Sequence, residues 1–253
     1  MALTNDAGRS WLTVSALAGS AAALLVSLSA QAGGIGLGAI RLVYDQKAGQ
    51  VSVPVRNTSS SPYVISTRVT QTQDARRQEQ TPFVVTPPLF RLEGGAQGNV
   101  RIMGNPQSLP ADRESVFYVT VAGIPASNPL SRDGSEGFVN GAVKFAYGST
   151  IKLFYRPAGL PSSSSDAVRG VRFTRTAGGV KVDNPSPYYV TFRDISLNGQ
   201  AVKFGKNQPD MLAPLGSMTV PAGRVYPISQ AGKVSWSAIV DIGVVVSASG
   251  TLQ

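Results

Sequence analysis

From residue 39 onward, apolar and polar residues alternate in short runs, each closed by glycine, proline, asparagine or serine. A period of two marks a β-strand with one face buried. Residues 39–45 (AIRLVYD) and 50–57 (QVSVPVRN) are two such runs, separated by Lys47-Ala48-Gly49 as in a hairpin. Residues 63–72 follow a Ser-Ser-Ser-Pro break. Residues 82–92 are interrupted by Pro87-Pro88, a pair that invites a kink or a cis bond. Residues 99–105, 114–125 and 142–157 complete about seven strands within 33–157. That count and spacing predict an immunoglobulin-like sandwich.

The stretch AGLPSSSSD (158–166) is small, polar and without periodicity, and reads as a linker. Beyond it the β pattern resumes. Residues 171–184 predict a hairpin around Ala177-Gly178-Gly179, and 188–204 a second one turning at Asn198-Gly199. Residues 217–223, 233–241 and 243–250 add three more runs. No helix is expected past residue 32. The expected fold class is all-β: two immunoglobulin-like β-sandwich domains behind a cleavable signal peptide. The expected boundaries are 1–32 for the leader, 33–157 for the first domain, 158–166 for the linker and 167–253 for the second domain.

The leader reading rests on Arg9 ahead of an apolar run (11–30) that ends in Ala30-Gln31-Ala32, a small-x-small cleavage pattern. An uncleaved anchor is the alternative, since the run has membrane-spanning length. No later segment has that length, so no stable membrane insertion is expected after cleavage.

Composition then removes whole classes of chemistry. The chain has no histidine and no cysteine. Ser-His-Asp and Cys-His catalysis, thiolate or imidazole zinc sites and disulfides are all excluded. The few carboxylates show no acid–base pair of the kind a glycosidase needs. No enzymatic activity, metal or cofactor is expected. The net charge of +9 is spread evenly: 13 basic against 8 acidic residues over 33–157, and 9 against 5 over 158–253. The longest basic run is Arg76-Arg77, so no nucleic-acid stripe is built.

One run is unusual. AVKFAYGSTIKLFYRP (142–157) alternates throughout, with Val143, Phe145, Tyr147, Ile151, Leu153 and Tyr155 on one face. Lys144, Lys152, Phe154 and Arg156 fall on the other. At about 3.3 Å per residue, sixteen residues would span ~50 Å, far beyond the usual ~17–20 Å strand. Part of such a strand lacks a partner within its own domain. An apolar row on an unpaired edge invites aggregation unless a partner covers it.

TIKLFYRP (150–157), TPPLFRLEGGAQGNVRI (86–102), LPADRESVFYVTVAGIP (109–125) and NPSPYYVTF (184–192) together resemble the PapD-like periplasmic chaperones of the chaperone–usher pilus pathway. The resemblance implies two immunoglobulin-like domains joined as an L around a cleft, and a periplasmic location. The implied partners are pilus or fimbrial subunits and an outer-membrane usher. The implied mechanism is donor-strand complementation. By the same resemblance, Arg41 and Lys152 anchor the subunit's C-terminal carboxylate. Val143, Phe145 and Tyr147 form the apolar row that enters the subunit's groove. Glu114, Arg156 and Asp241 form an interdomain charge cluster. Ile40 departs from a position where many relatives carry a hydroxyl residue. The 126–142 stretch is longer than in short-loop relatives, yet the cysteine pair common in long-loop relatives is missing.

A pilin-like or adhesin subunit is the alternative, being exported and β-rich as well. Such a subunit calls for an N-terminal donor extension of alternating apolar residues, and Gly33–Gly38 is only a short glycine-rich lead-in.

Overall fold

The computed structural model describes residues 34–74, 80–126, 147–177, 179–205, 209–220 and 232–253. The leader lies outside these residues. The described chain is built on four sheets that enclose two apolar cores.

In the first sandwich, β1 (Ile35–Leu37), β3 (Gln50–Asn57), β7 (Gln97–Gly104) and β5 (Phe83–Thr86) form one sheet in the order β1-β3-β7-β5. The facing sheet runs β2-β9-β8-β4-β6, with β2 (Arg41–Asp45), β9 (Tyr147–Arg156), β8 (Ser115–Pro125), β4 (Tyr63–Thr70) and β6 (Leu89–Leu92). Alternation decides which side chains meet between the sheets. Val53 and Val55 of β3, Val100 and Ile102 of β7, Val119 and Val121 of β8 and Leu153 of β9 are all buried in this core. Pro87-Pro88 divides the expected 82–92 run into β5 and β6, and the Thr86–Pro87 bond is cis.

The glycine-rich lead-in contains a strand that the sequence pattern does not predict: β1 pairs with the end of β3, Ile35 opposite Asn57. Gly123 of β8 accommodates it, because a Cβ there would collide with Ile35.

In the second sandwich, β10 (Arg172–Thr176), β11 (Gly179–Asp183) and β15 (Ser217–Val220) form one sheet. The other consists of β13 (Gln200–Ala201), β12 (Val190–Leu197), β16 (Lys233–Ile239) and β17 (Val245–Thr251) in that order, with β14 (Met211–Leu212) pairing on β12. The β12–β13 turn has positive φ at both Asn198 (49°) and Gly199 (82°), the twist that joins antiparallel strands most directly. Phe173, Val182, Phe192, Ile195 and Trp236 are buried in its core.

The expectation of no helix past residue 32 is corrected by α1 (Ser164–Arg169), which overlaps the stretch read as a linker. Ser163 caps it, its Oγ accepting from the Asp166 amide at 3.2 Å and donating to the Asp166 carboxylate at 2.6 Å. Ala167 and Val168 bury against the second core, and the Trp236 indole N–H donates to the Val168 carbonyl at 2.8 Å. Tertiary burial therefore stabilises a helix too short to persist alone.

The same local device closes an inner strand in each sandwich. Asn57, at the end of β3, donates to the carbonyls of Ser61, Leu92 and Glu93, while its own carbonyl accepts from the Ser59 amide and hydroxyl. Asn184, just after β11, donates to the Tyr188 and Ala213 carbonyls and accepts from the Ser186 amide and hydroxyl.

Candidate functional site: an interdomain cleft at the end of an open strand edge

β9 is the strand on which the site is built. β8 pairs with it along its described length, from Tyr147 opposite Gly123 to Tyr155 opposite Ser115. On its other edge β2 runs parallel and covers only Lys152–Arg156, with Arg41 opposite Lys152 and Asp45 opposite Arg156. Among the described residues, Tyr147–Ile151 therefore have a ladder partner on one edge only. Arg41 and Lys152 stand where the open edge meets the covered one.

Alternation turns Leu153 and Tyr155 into the first core and sends Lys152, Phe154 and Arg156 toward the second sandwich. Phe154 is buried, and its ring lies 5.6 Å from that of Tyr189. The Arg41 guanidinium lies over the Phe154 ring at 5.6 Å, close enough for a cation–π contact. One Arg41 amino group donates to the Ile239 carbonyl at 2.6 Å. Its Nε is buried and makes no hydrogen bond among the described residues. Burial pushes the Arg41 pKa down, against the pull of Asp241, Asp210 and Glu114.

Lys152 reaches into a cleft lined by Gln71, Thr72 and Tyr118 of the first sandwich and by Phe204, Asp210 and Met211 of the second. Its side chain is 17% exposed, and its ammonium lies 3.8 Å from the Asp210 carboxylate. Burial holds the Lys152 pKa below its ordinary value. Asp210 opposes that shift and the neighbouring Arg41 charge adds to it.

Glu114, Arg156 and Asp241 come together in one network. Arg156 Nε donates to Glu114 at 2.8 Å, and the two Arg156 amino groups donate to the two Asp241 oxygens at 2.7 Å each. The other Glu114 oxygen accepts from the Tyr189 amide at 2.8 Å, and the Glu114 amide donates to the Pro187 carbonyl at 2.9 Å. The Arg156 guanidinium also lies 5.0 Å from the centre of the Tyr188 ring. Burial opposes the Arg156 charge, but hydrogen bonds and proximity to Asp241 and Glu114 outweigh it and raise its pKa. Burial would raise the Asp241 carboxyl, yet Arg156, Ser164 and Arg41 hold it below its ordinary value. Burial pushes the Glu114 carboxyl up, against Arg156 and the Tyr189 amide. The cluster thus bridges the β8–β9 end of the first sandwich to the 187–189 and 241 segments of the second.

Val143 and Phe145 lie outside the described residues, as does the Tyr147 side chain. The backbone of Tyr147 begins β9. Sequence reasoning missed Asp210, the Ile239 carbonyl and the tilted Phe154–Tyr189 ring pair. All three are tertiary neighbours of Arg41 or Lys152, with no local pattern to announce them. Among the described residues no group of three or more acidic residues is placed to hold a metal ion. None of the described helices is long and apolar enough to cross a membrane.

Comparison with known proteins agrees with this architecture. Residues 34–161 match the family model for the pili and flagellar-assembly chaperone PapD N-terminal domain. Residues 166–250 match that for the pili assembly chaperone PapD C-terminal domain. The probable fimbrial chaperone LpfB of Escherichia coli O157:H7 is 34% identical over 226 residues, covering 88% of this chain and 90% of that protein. Among solved structures, the E. coli chaperone DraB superposes with a TM-score of 0.68 at 29% identity, covering 87% of this chain and 97% of that one. The Pseudomonas aeruginosa chaperone CupB2 gives 0.69 at 26% identity, with coverage of 86% and 100%. The chain belongs to the PapD-like family of pili assembly chaperones.

Proposed function

We propose that this chaperone captures fimbrial subunits in the periplasm by lending them a strand along the open edge of β9, anchors their C-terminal carboxylate on Arg41 and Lys152, and releases them to an outer-membrane usher. One observation carries the reading: the two cations are cross-strand neighbours at the point where β2 stops covering β9. A strand added along Tyr147–Ile151, parallel to β9 and in line with β2, ends there. Its terminal carboxylate then meets two cationic donors, and charge-assisted hydrogen bonds are roughly twice as strong as neutral ones. Fixing that end fixes the register of the added strand, and a one-residue slip would turn every side chain to the wrong face. Val143, Phe145 and Tyr147 then supply the apolar row, with main-chain bonds giving affinity and side chains filling pockets.

The leader would be removed after Ala32 on export. A fibre subunit, the alternative open from the sequence, has the family membership against it.

Co-expression with a fimbrial subunit of the same organism tests the proposal. The expected result is a soluble complex with the unaltered chain. Arg41→Ala and Lys152→Ala should each lose the complex while the free chaperone remains folded by circular dichroism. Retention of the complex by both variants would overturn the anchor.

A further inference from the structure

Of the two neighbouring cations, Lys152 faces a carboxylate supplied by this chain itself. Lys152 is 17% exposed, and Asp210 is its ion-pair partner among the described residues. A charge so far removed from water is costly without a counter-charge. Asp210 comes from the second sandwich, and two features make it exchangeable. At 3.8 Å the contact is an ion pair longer than a good hydrogen bond. The Asp210 side chain is 52% exposed while its backbone is fixed, its carbonyl accepting from the Phe192 amide at 2.7 Å. The side chain can therefore turn to solvent without moving the strand pairing behind it.

We propose that Asp210 is a placeholder: in the unloaded chaperone its carboxylate stands in for the client's terminal carboxylate on Lys152, and a client enters by exchanging its own carboxylate for that of Asp210. This inference rests on the anchor reading above. Exchange rather than addition has two consequences. Lys152 is never left bare, so the cleft keeps its charge balance before capture and after release. A chain end without a negative charge has nothing to offer in exchange, so the cleft rejects internal segments and neutral ends. The cost is lower affinity, since each client carboxylate must replace an existing partner.

The test uses the exported chain and a synthetic nine-residue peptide of alternating valine and threonine. The peptide ends in either a free α-carboxylate or an amide, and both forms are titrated by calorimetry. Asp210→Asn should tighten binding of the free acid by about two- to fivefold, the range of one exposed ion pair, and leave the amide unchanged. Asp210→Ser should do the same, which guards against a local effect of asparagine. If either variant binds the free acid no better or more weakly, while Lys152→Ala binds it poorly, the placeholder is wrong and Asp210 serves the clamp instead. If Lys152→Ala binds the free acid as well as the unaltered chain, the anchor reading itself has failed.

Discussion

Arg41 and Lys152 are Cα partners across the parallel pairing of β2 with β9, so their side chains rise side by side from one face of the sheet. Their surroundings differ. Arg41 is tied to the Ile239 carbonyl and lies over Phe154, whereas Lys152 has one long ion pair. The two alanine variants should therefore separate in stability although both lose client binding. Arg41→Ala removes a charge-assisted hydrogen bond to the second sandwich and should cost about 1–2 kcal/mol. Lys152→Ala removes a mostly buried cation whose one ion pair offsets little of its desolvation, and should cost less than about 0.5 kcal/mol. Urea unfolding of the free protein measures both, and equal losses would show that Arg41 has no structural share.

Glu114 and Asp241 both hold Arg156, and their burial sets their weights. The Glu114 side chain is 2% exposed and also receives the Tyr189 amide, whereas that of Asp241 is 36% exposed. Glu114→Ala should cost about 3 kcal/mol, because it takes one of two carboxylates from a mostly buried guanidinium and leaves the Tyr189 amide without its acceptor. Asp241→Asn should cost about 1 kcal/mol at neutral pH. Acid should then close the second gap. A carboxyl held below its ordinary value of 3.8 contributes stability above that pH and loses it as pH falls through the folded value. Glu114 has the opposite sign: its raised carboxyl takes up a proton more readily in the folded state, which favours folding as pH falls. The difference between the unaltered protein and Asp241→Asn isolates the Asp241 share, and should shrink on acidification below about pH 4. A gap that stays constant from pH 7 to pH 3 would remove Asp241 from the electrostatic account.

How much of this was legible in the sequence depends on the range of each interaction. Period-two alternation gave β3 its observed limits, and it sorted Lys152, Phe154 and Arg156 to one face of β9 with Leu153 and Tyr155 on the other. It also signalled the hairpin at Asn198-Gly199. It was silent on β1, since glycines at 34, 36 and 38 erase the pattern that Ile35 and Leu37 would make. It was silent on α1, because six residues hold too few turns to display a helical period. The Ser163-x-x-Asp166 cap and Gly170 were the available signals. Arg41 and Lys152 emerged through resemblance to a family, whereas Asp210 did not. Its neighbours in sequence, Pro209 and Met211, give it no distinction, and its meeting with Lys152 exists only because two sandwiches face each other.

Asn57 and Asn184 supply a prediction that separates the two sandwiches. Each is almost fully buried, and each ties the end of an inner strand to the loop that follows and to a further loop of its own sandwich. Alanine at either site takes the donor from one buried hydrogen bond, to the Leu92 or the Tyr188 carbonyl, and from at least one partly buried one, and leaves the amide of Ser59 or Ser186 without its side-chain acceptor. An unsatisfied buried group costs about 1–3 kcal/mol and a partly buried one less, so each variant should lose roughly 2–3 kcal/mol. The loss should be local at first. Asn57→Ala should raise amide exchange in β3, β6 and the 58–61 turn while β10–β12 keep their protection. Asn184→Ala should do the reverse and loosen the 186–189 segment that carries the Glu114 contact. Asn184→Ala should therefore also weaken client capture, although Asn184 does not line the cleft. Hydrogen exchange read by mass spectrometry on both variants decides the matter. Identical exchange maps would mean that the two sandwiches unfold as one unit, which would make the interdomain cluster the dominant coupling in the molecule.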